Sequence, residues 1–141
     1  MRVVFDENTP RVVAHAIKLI AEAEAAGGPE PLKVHHALDI VDHGTKDVLL
    51  IQAAVGAGHE RAALITTDKA MRTRSHERAA FVETGCIGIV LTGGWSHASM
   101  MERARHSLLW WSTWIDGIRD APVGILLRCP WSSKPKPLKR F

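Results

Sequence analysis

The fold class is decided at residues 2–10, which read RVVFDENTP: a short apolar run, then a carboxylate, then a proline. Pro10 suits the start of a helix, because its missing N–H has no intrahelical partner there. Apolar residues then recur at positions 12, 13, 16, 17 and 20, the spacing of one helix face, and Gly27-Gly28 ends the segment. The sequence therefore predicts a buried strand followed by an amphipathic helix over residues 10–26.

The alternation of strand and helix continues along the chain. We expect strands within residues 32–41 and over residues 62–67, 86–92 and 123–128, a helix over 46–57 with Thr45 as its N-cap, a basic loop or helix over 69–82 and a long helix over 96–119. Apolar strands separated by helices are typical of a parallel sheet covered on both faces. The sequence therefore predicts an α/β domain with a mainly parallel sheet of about five strands.

Length and composition describe one ordinary globular domain. The chain has 141 residues, of which 46% are hydrophobic and 23% charged, and a single domain typically takes about 100–150 residues. Its apolar stretches are far shorter than the roughly 20 residues that span a bilayer, and Asp6 comes too early for a signal peptide. We expect a cytoplasmic protein with no membrane span, in which Cys86 and Cys129 are buried thiols.

Charge is unevenly distributed. The formal net charge is +3, yet residues 128–141 contain five basic residues and no acidic one. The segment SSKPKPLKR at residues 132–140 has too little apolar surface to offset the entropy lost on ordering. We expect a domain over residues 1–131 and a basic, disordered tail over residues 132–141, which either holds phosphates loosely or aids solubility.

Three aspartates are expected at one edge of the sheet. Asp6 closes the first strand and Asp68 the third, and the carboxyl ends of parallel strands share an edge. Asp47 opens a helix and shares a stripe with apolar residues three, four and seven positions later, which turns it toward the same edge if that stripe packs on the sheet. Converging carboxylates repel one another, and Mg²⁺ or Mn²⁺ with oxygen ligands relieves the repulsion. Each aspartate taken alone also suits a turn or a helix cap.

Three pieces of the chain occur in an informative order: VFDENTP at residues 4–10, DVLLIQAA at 47–54 and LITTDK at 64–69. Over about residues 2–92 they resemble PIN-domain ribonucleases, particularly the compact PIN-like group of VapC-type toxins. In that family an Asp with an Asn two positions on ends the first strand, an Asp opens a helix, and Thr-x-Asp closes the next strand. Here those places are filled by Asp6, Asn8, Asp47, Thr66 and Asp68.

The resemblance implies a single three-layer α/β/α domain and a metal-dependent endoribonuclease neutralised by a cognate antitoxin. It implies that Asp6, Asp47 and Asp68 are catalytic and bind Mg²⁺ or Mn²⁺, with Asn8 and Thr66 in support. Larger members carry a fourth acid on a helix that is not evident here. The available substitutes are Glu7, Asp39 and Asp42, of which Asp39 ranks above Asp42 because its stretch resembles the second strand of the compact group.

Basic residues follow Asp68 closely. Lys69, Arg72 and Arg74 suit RNA phosphates beside an acidic centre. A solvated helix face is the alternative, and Glu77 suits a partner that holds these basic groups in place.

The long helix at 96–119 has an apolar surface wider than one packing stripe needs. Trp is enriched at the centres of interfaces, so we expect a homodimer contact or an antitoxin groove at Trp110, Trp111 and Trp114. Base stacking on these rings is less favoured.

Two other function classes stay open. One is a catalytically inactive PIN-like module that holds RNA or a protein without cutting. The other is a receiver-like signalling domain, although that fold needs a lysine after its last strand, where this chain has Arg128-Cys129-Pro130.

Overall fold

The computed structural model describes residues 1–58 and 60–141. Within these residues six strands form one sheet: β1 Arg2–Phe5, β2 Lys33–His36, β3 Ala62–Thr66, β4 Ile87–Thr92, β5 Leu126–Pro130 and β6 Lys139–Arg140. Their order is β2-β1-β3-β4-β5-β6. Strands β1 to β5 run parallel and β6 is antiparallel to β5. The predicted α/β class with a mainly parallel sheet is confirmed.

Four α-helices in the described part of the chain cover this sheet: α1 Arg11–Ala25, α2 Asp47–Val55, α3 Ser75–Thr84 and α4 Met100–Asp120. Helices α1 and α4 pack on one face, and α2 and α3 pack on the other. The result is three layers, α/β/α. No helix among the described residues is long and apolar enough to cross a membrane.

The strands are apolar throughout because both of their faces are buried. Val3 and Phe5 belong to the core under α1 and α4, whereas Val4, between them, belongs to the core under α2 and α3. Leu64 in β3 shares the second core. Successive side chains of a strand point to opposite faces, so one short apolar run serves both layers.

Two helix starts differ from the predictions. Thr45 is not the N-cap of α2: Lys46 precedes the first turn, and the Thr45 hydroxyl donates to the Asp42 carbonyl at 2.6 Å. Helix α4 begins at Met100, after Ser99, whose side chain forms a reciprocal capping box with Glu102. This Ser-x-x-Glu pattern satisfies two N–H groups of the first turn, which favours Ser99 over the predicted start at residue 96.

The tail differs from the expectation of disorder. Leu138 packs against the α1/α4 core, and Lys139–Arg140 add β6 to the edge of β5. The close approach depends on Gly117 in α4, where a Cβ would lie 2.9 Å from Cδ1 of Leu138. One apolar side chain and the free hydrogen-bonding edge of β5 therefore order this polar segment.

The tryptophans of α4 are mainly core residues. Trp110 and Trp114 are fully buried; the indole of Trp110 donates to the Ser132 carbonyl at 2.8 Å and that of Trp114 to Sγ of Cys129 at 3.2 Å. Trp111 is half-buried against the same core. Trp110 and Trp114 are thus unavailable to a partner, because they lie on the helix face that packs on the sheet.

Candidate active site

The three predicted aspartates meet at the carboxyl edge of the sheet. Strands β1 and β3 are adjacent and in register, and the Asp6 N–H donates to the Ile65 carbonyl at 3.0 Å. Asp68 follows β3, and Asp47 stands in the first turn of α2. They line a cleft of about 200 Å³, here called the acidic cleft, together with Glu7, Asn8, Gly44, Thr45, Leu50 and Met71. Three distant segments of the chain therefore contribute carboxylates to one depression.

Asp6 is buried, and both of its carboxyl oxygens accept hydrogen bonds. Its Oδ2 accepts hydrogen bonds from the Thr66 hydroxyl, the Asn8 amide at 3.2 Å and the Thr67 N–H at 3.3 Å, and its Oδ1 accepts from the Thr9 hydroxyl at 3.3 Å. Burial raises the pKa of Asp6, and these hydrogen bonds offset part of that rise. The predicted supporting residues Asn8 and Thr66 thus fix the orientation of this carboxyl group.

Thr66 connects Asp6 to Asp68. Its hydroxyl donates to Asp6 and accepts the backbone N–H of Asp68 at 2.9 Å. The Asp68 side chain is oriented separately, because its Oδ1 accepts the Ala70 N–H at 2.8 Å and caps the short 3-10 turn Lys69–Arg72. Asp68 therefore combines a capping role with a place in the acidic cleft.

A single arginine stands among three carboxylates. Nη1 of Arg74 lies 3.2 Å from Oδ2 of Asp47, 3.3 Å from Oδ2 of Asp68 and 2.9 Å from Oε1 of Glu77. Burial raises the pKa of Asp47, and the Glu77 and Asp68 carboxylates raise it further, while Arg74 opposes them. The hydrogen bond to Glu77 is the main cause that raises the pKa of Arg74. Arg74 therefore places one positive charge among these three carboxylates.

The sequence predicted for Glu77 only a role as the partner of the nearby basic residues Lys69, Arg72 and Arg74. Its side chain is 4% exposed, and its Oε2 has no hydrogen-bond partner among the described residues. Glu77 lies on the buried face of α3, three and four residues before Ala80 and Phe81. That helical spacing was present in the sequence and could have identified Glu77 as a buried acid.

A family model described as a PIN like domain matches residues 1–93. The chain belongs to the PIN-like domain family. The match contains all residues of the acidic cleft and also Arg74 and Glu77, whereas α4, β5 and β6 lie beyond it. No curated protein and no solved structure matches the chain. The receiver-like interpretation is wrong, because the match assigns residues 1–93, with strands β1 to β4, to a PIN-like domain.

The three candidate substitutes for a fourth acid lie in different places in this PIN-like domain. Glu7 lines the cleft, where its carboxylate contacts His43 Nδ1 at 3.0 Å and accepts the Gly44 N–H at 3.2 Å. Asp39 and Asp42 are not among the lining residues. Asp39 instead contacts Arg11 and His15 beside the 3-10 turn Ala37–Asp39. Burial raises the pKa of Asp39, but hydrogen bonds from these two partners hold it well below its ordinary value.

The three candidate phosphate ligands also differ from one another. Lys69 and Arg72 are exposed and form no ion pair in the described part of the chain. Arg74 is held by Asp47, Asp68 and Glu77 instead. The structure therefore leaves the first two free for a phosphate and occupies the third.

The donor set of the PIN-like cleft fits a hard divalent cation. Carboxylate oxygens are the ligands that Mg²⁺ takes, at about 2.0–2.1 Å, whereas the three oxygens around Nη1 of Arg74 stand 2.9–3.3 Å from it. No three His, Cys, Asp or Glu side chains in residues 1–58 and 60–141 are grouped closely enough to hold an ion as placed. Glu77 is not among the residues that line the cleft, and its Oε2 is buried without a hydrogen-bond partner among the described residues. Asp47 and Asp68 would hold such an ion, and its charge would compensate the carboxylates that Arg74 contacts.

Proposed function

We propose that this PIN-like protein is a Mg²⁺- or Mn²⁺-dependent endoribonuclease that hydrolyses RNA phosphodiester bonds at the acidic cleft. The observation that carries the proposal is the meeting of Asp6, Asp47 and Asp68, from β1, α2 and the end of β3, around one depression. Like charges placed together disfavour their own ionised forms. A purely structural role would not need three of them, whereas a cation site does.

The side chains of such a site would have three roles: to hold the ion, to position its ligands and to exclude water. Asp47 and Asp68, together with Asp6, would hold the ion, which supplies a water of lowered pKa and charge stabilisation at the leaving oxygen. Thr66 holds the Asp6 carboxyl group and the Asp68 backbone in fixed relative positions. Leu50 and Met71 are buried in the wall of the cleft and exclude water from that side. The protein thereby contributes orientation and a shaped pocket.

The setting of this activity follows from the same proposal. We propose the toxin of a toxin–antitoxin pair, on the support of the motif order that resembles the compact VapC-type group. A contact with an antitoxin or with a second copy would use the exposed Leu108 and Leu109 of α4, since Trp110 and Trp114 are buried. The proposal includes a cytoplasmic location, where such a toxin would meet its RNA substrate.

The test is cleavage of single-stranded and structured RNA with Mg²⁺ or Mn²⁺ added. The wild type is compared with Asp6→Asn and Asp68→Asn, and with Asp116→Asn as a control, because Asp116 is an exposed aspartate of α4 outside the cleft. Metal-dependent cleavage that is lost in both cleft variants and kept in the control supports the nuclease. Cleavage that survives in both removes these acids from the mechanism.

One observation favours the inactive binding module as a second candidate. Arg74 already neutralises the carboxylates that a cation would need. A module of this kind would bind RNA or a protein without turnover, so the absence of cleavage in every protein and every substrate tried would favour it.

A further inference from the structure

A second depression lies beside α3, on the sheet face that carries α2 and α3. It has a volume of about 500 Å³, and its charged lining consists of Arg72, Arg78 and Arg140, with no acidic residue. All three arginines are exposed. None of them forms an ion pair in the part of the chain that the structure describes. This arginine groove therefore carries three positive charges that have no ion-pair partner within residues 1–58 and 60–141.

An aromatic ring borders the arginine groove. The Phe141 ring is 45% exposed, and the Arg72 guanidinium lies over it, 5.1 Å from the ring centroid. Strand β6 sets the position of the ring, because the Phe141 N–H donates to the Leu126 carbonyl at 3.3 Å. Stacked guanidinium and phenyl groups form a flat surface of the kind on which an unpaired base stacks.

The arginine groove begins next to the acidic cleft. Arg72 belongs to the 3-10 turn that Asp68 caps, and Arg74 follows two residues later among the cleft carboxylates. Helix α3 starts at Ser75 and runs along the groove, to which it contributes Arg78 and Val82. A chain bound along α3 would thus be led toward the carboxylates of the cleft.

We propose that the arginine groove binds single-stranded RNA, with the guanidinium groups on successive phosphates and one base against the Arg72–Phe141 pair. The inference rests on the proposed function, for which it supplies the path of the substrate. Three cations and no acid favour a polyanion, and phosphate contacts dominate the affinity for nucleic acid. An exposed ring favours a single strand, because the bases of a duplex are already stacked on one another.

The test is fluorescence anisotropy of a short labelled single-stranded RNA, in EDTA so that no cleavage occurs. We expect the triple variant Arg72→Gln, Arg78→Gln, Arg140→Gln to lose at least about tenfold in affinity. Its slope of log K against log salt should fall by about 2, since each phosphate contact of a single strand contributes about 0.7. Phe141→Ala should weaken binding by about fivefold or more. The control is Arg105→Gln, an exposed arginine of α4 on the other face of the sheet.

The outcomes separate the groove from the nuclease. Loss of RNA binding in the triple variant, with no RNA cut by any protein, supports the groove and rejects the nuclease. Cleavage by the triple variant with an unchanged KM rejects the groove and leaves the nuclease standing. A polyglutamate peptide that binds as tightly as the RNA overturns the inference in favour of an acidic protein segment. If the triple variant does not fold, the single variant Arg78→Gln replaces it, because Arg78 is exposed on α3. Its RNA affinity is then compared with those of wild type and Arg105→Gln.

Discussion

Nη1 of Arg74 lies 2.9 Å from Oε1 of Glu77, a carboxylate whose side chain is almost entirely buried in α3. A buried carboxylate without a counter-charge is costly, and removing one partner of such a pair leaves the other uncompensated. The same nitrogen also contacts Asp47 and Asp68. Glu77 and Arg74 therefore form one electrostatic unit beside the acidic cleft, in which the arginine compensates the charge of Asp47 and Asp68 as well as that of Glu77.

Arg74→Gln should destabilise the protein in EDTA and strengthen its response to Mn²⁺. The substitution removes the positive charge among Asp47, Asp68 and Glu77, so the carboxylates repel one another until an ion replaces it. Thermal unfolding should show a lower Tm than wild type without metal and a larger Mn²⁺-induced rise in Tm. Arg105→Gln is the matched control. A smaller Mn²⁺ response in the Arg74 variant than in wild type would show that Arg74 assists ion binding.

Glu77→Gln should weaken binding of Mn²⁺ by about 10- to 100-fold. The amide keeps the shape of the side chain but removes the charge of the buried carboxylate and its partnerless oxygen. Isothermal titration calorimetry measures the change, with Glu83→Gln, an exposed glutamate of the same helix, as the control. Equal Mn²⁺ affinities in the two variants would restrict Glu77 to the structural support of Arg74.

The fold and most of the cleft could be predicted because their signals are local. Asp6 and Asp68 each end an apolar strand, and the carboxyl ends of parallel strands share one edge of the sheet, so both residues could be placed at that edge. The partners of charged groups are not local: nothing near Arg74 in the sequence shows that Asp47 of α2 lies within reach. The ordered tail depends in the same way on a distant small residue, Gly117, which leaves room for Leu138.

Thr66→Val should cost about 1–3 kcal/mol of unfolding free energy, because it leaves a buried Asp6 oxygen and the Asp68 N–H each short of a partner. The isosteric methyl group keeps the packing of β3, so the loss reports the hydroxyl alone. Urea denaturation measures the stability. Thr66→Ser, which keeps the hydroxyl, should retain most of it. If the Val variant is as stable as wild type, the hydroxyl does not connect the two acids in solution.

Asp6→Asn should make the protein more stable at neutral pH while abolishing cleavage. Burial raises the pKa of Asp6 above the ordinary value of 3.8, so the folded state holds this proton more tightly than the unfolded chain. The contribution of Asp6 to the free energy of unfolding is therefore fully present below pH 3.8, and it is lost as the pH rises through the raised pKa. The Asn oxygen can take the three hydrogen bonds made to Oδ2, and its NH₂ group can donate to the Thr9 hydroxyl.

The measurement is the difference in Tm between Asp6→Asn and wild type from pH 3 to pH 8, in EDTA. The two proteins should coincide at the acid end, and the stability advantage of the Asn variant should grow as the pH rises from 3.8 through the raised pKa of Asp6. An Asn variant that is less stable than wild type at neutral pH would mean that the hydrogen bonds to the ionised carboxylate outweigh the cost of its burial. Asp6 would then be a structural anion rather than a carboxylate whose stability cost is offset by a bound cation.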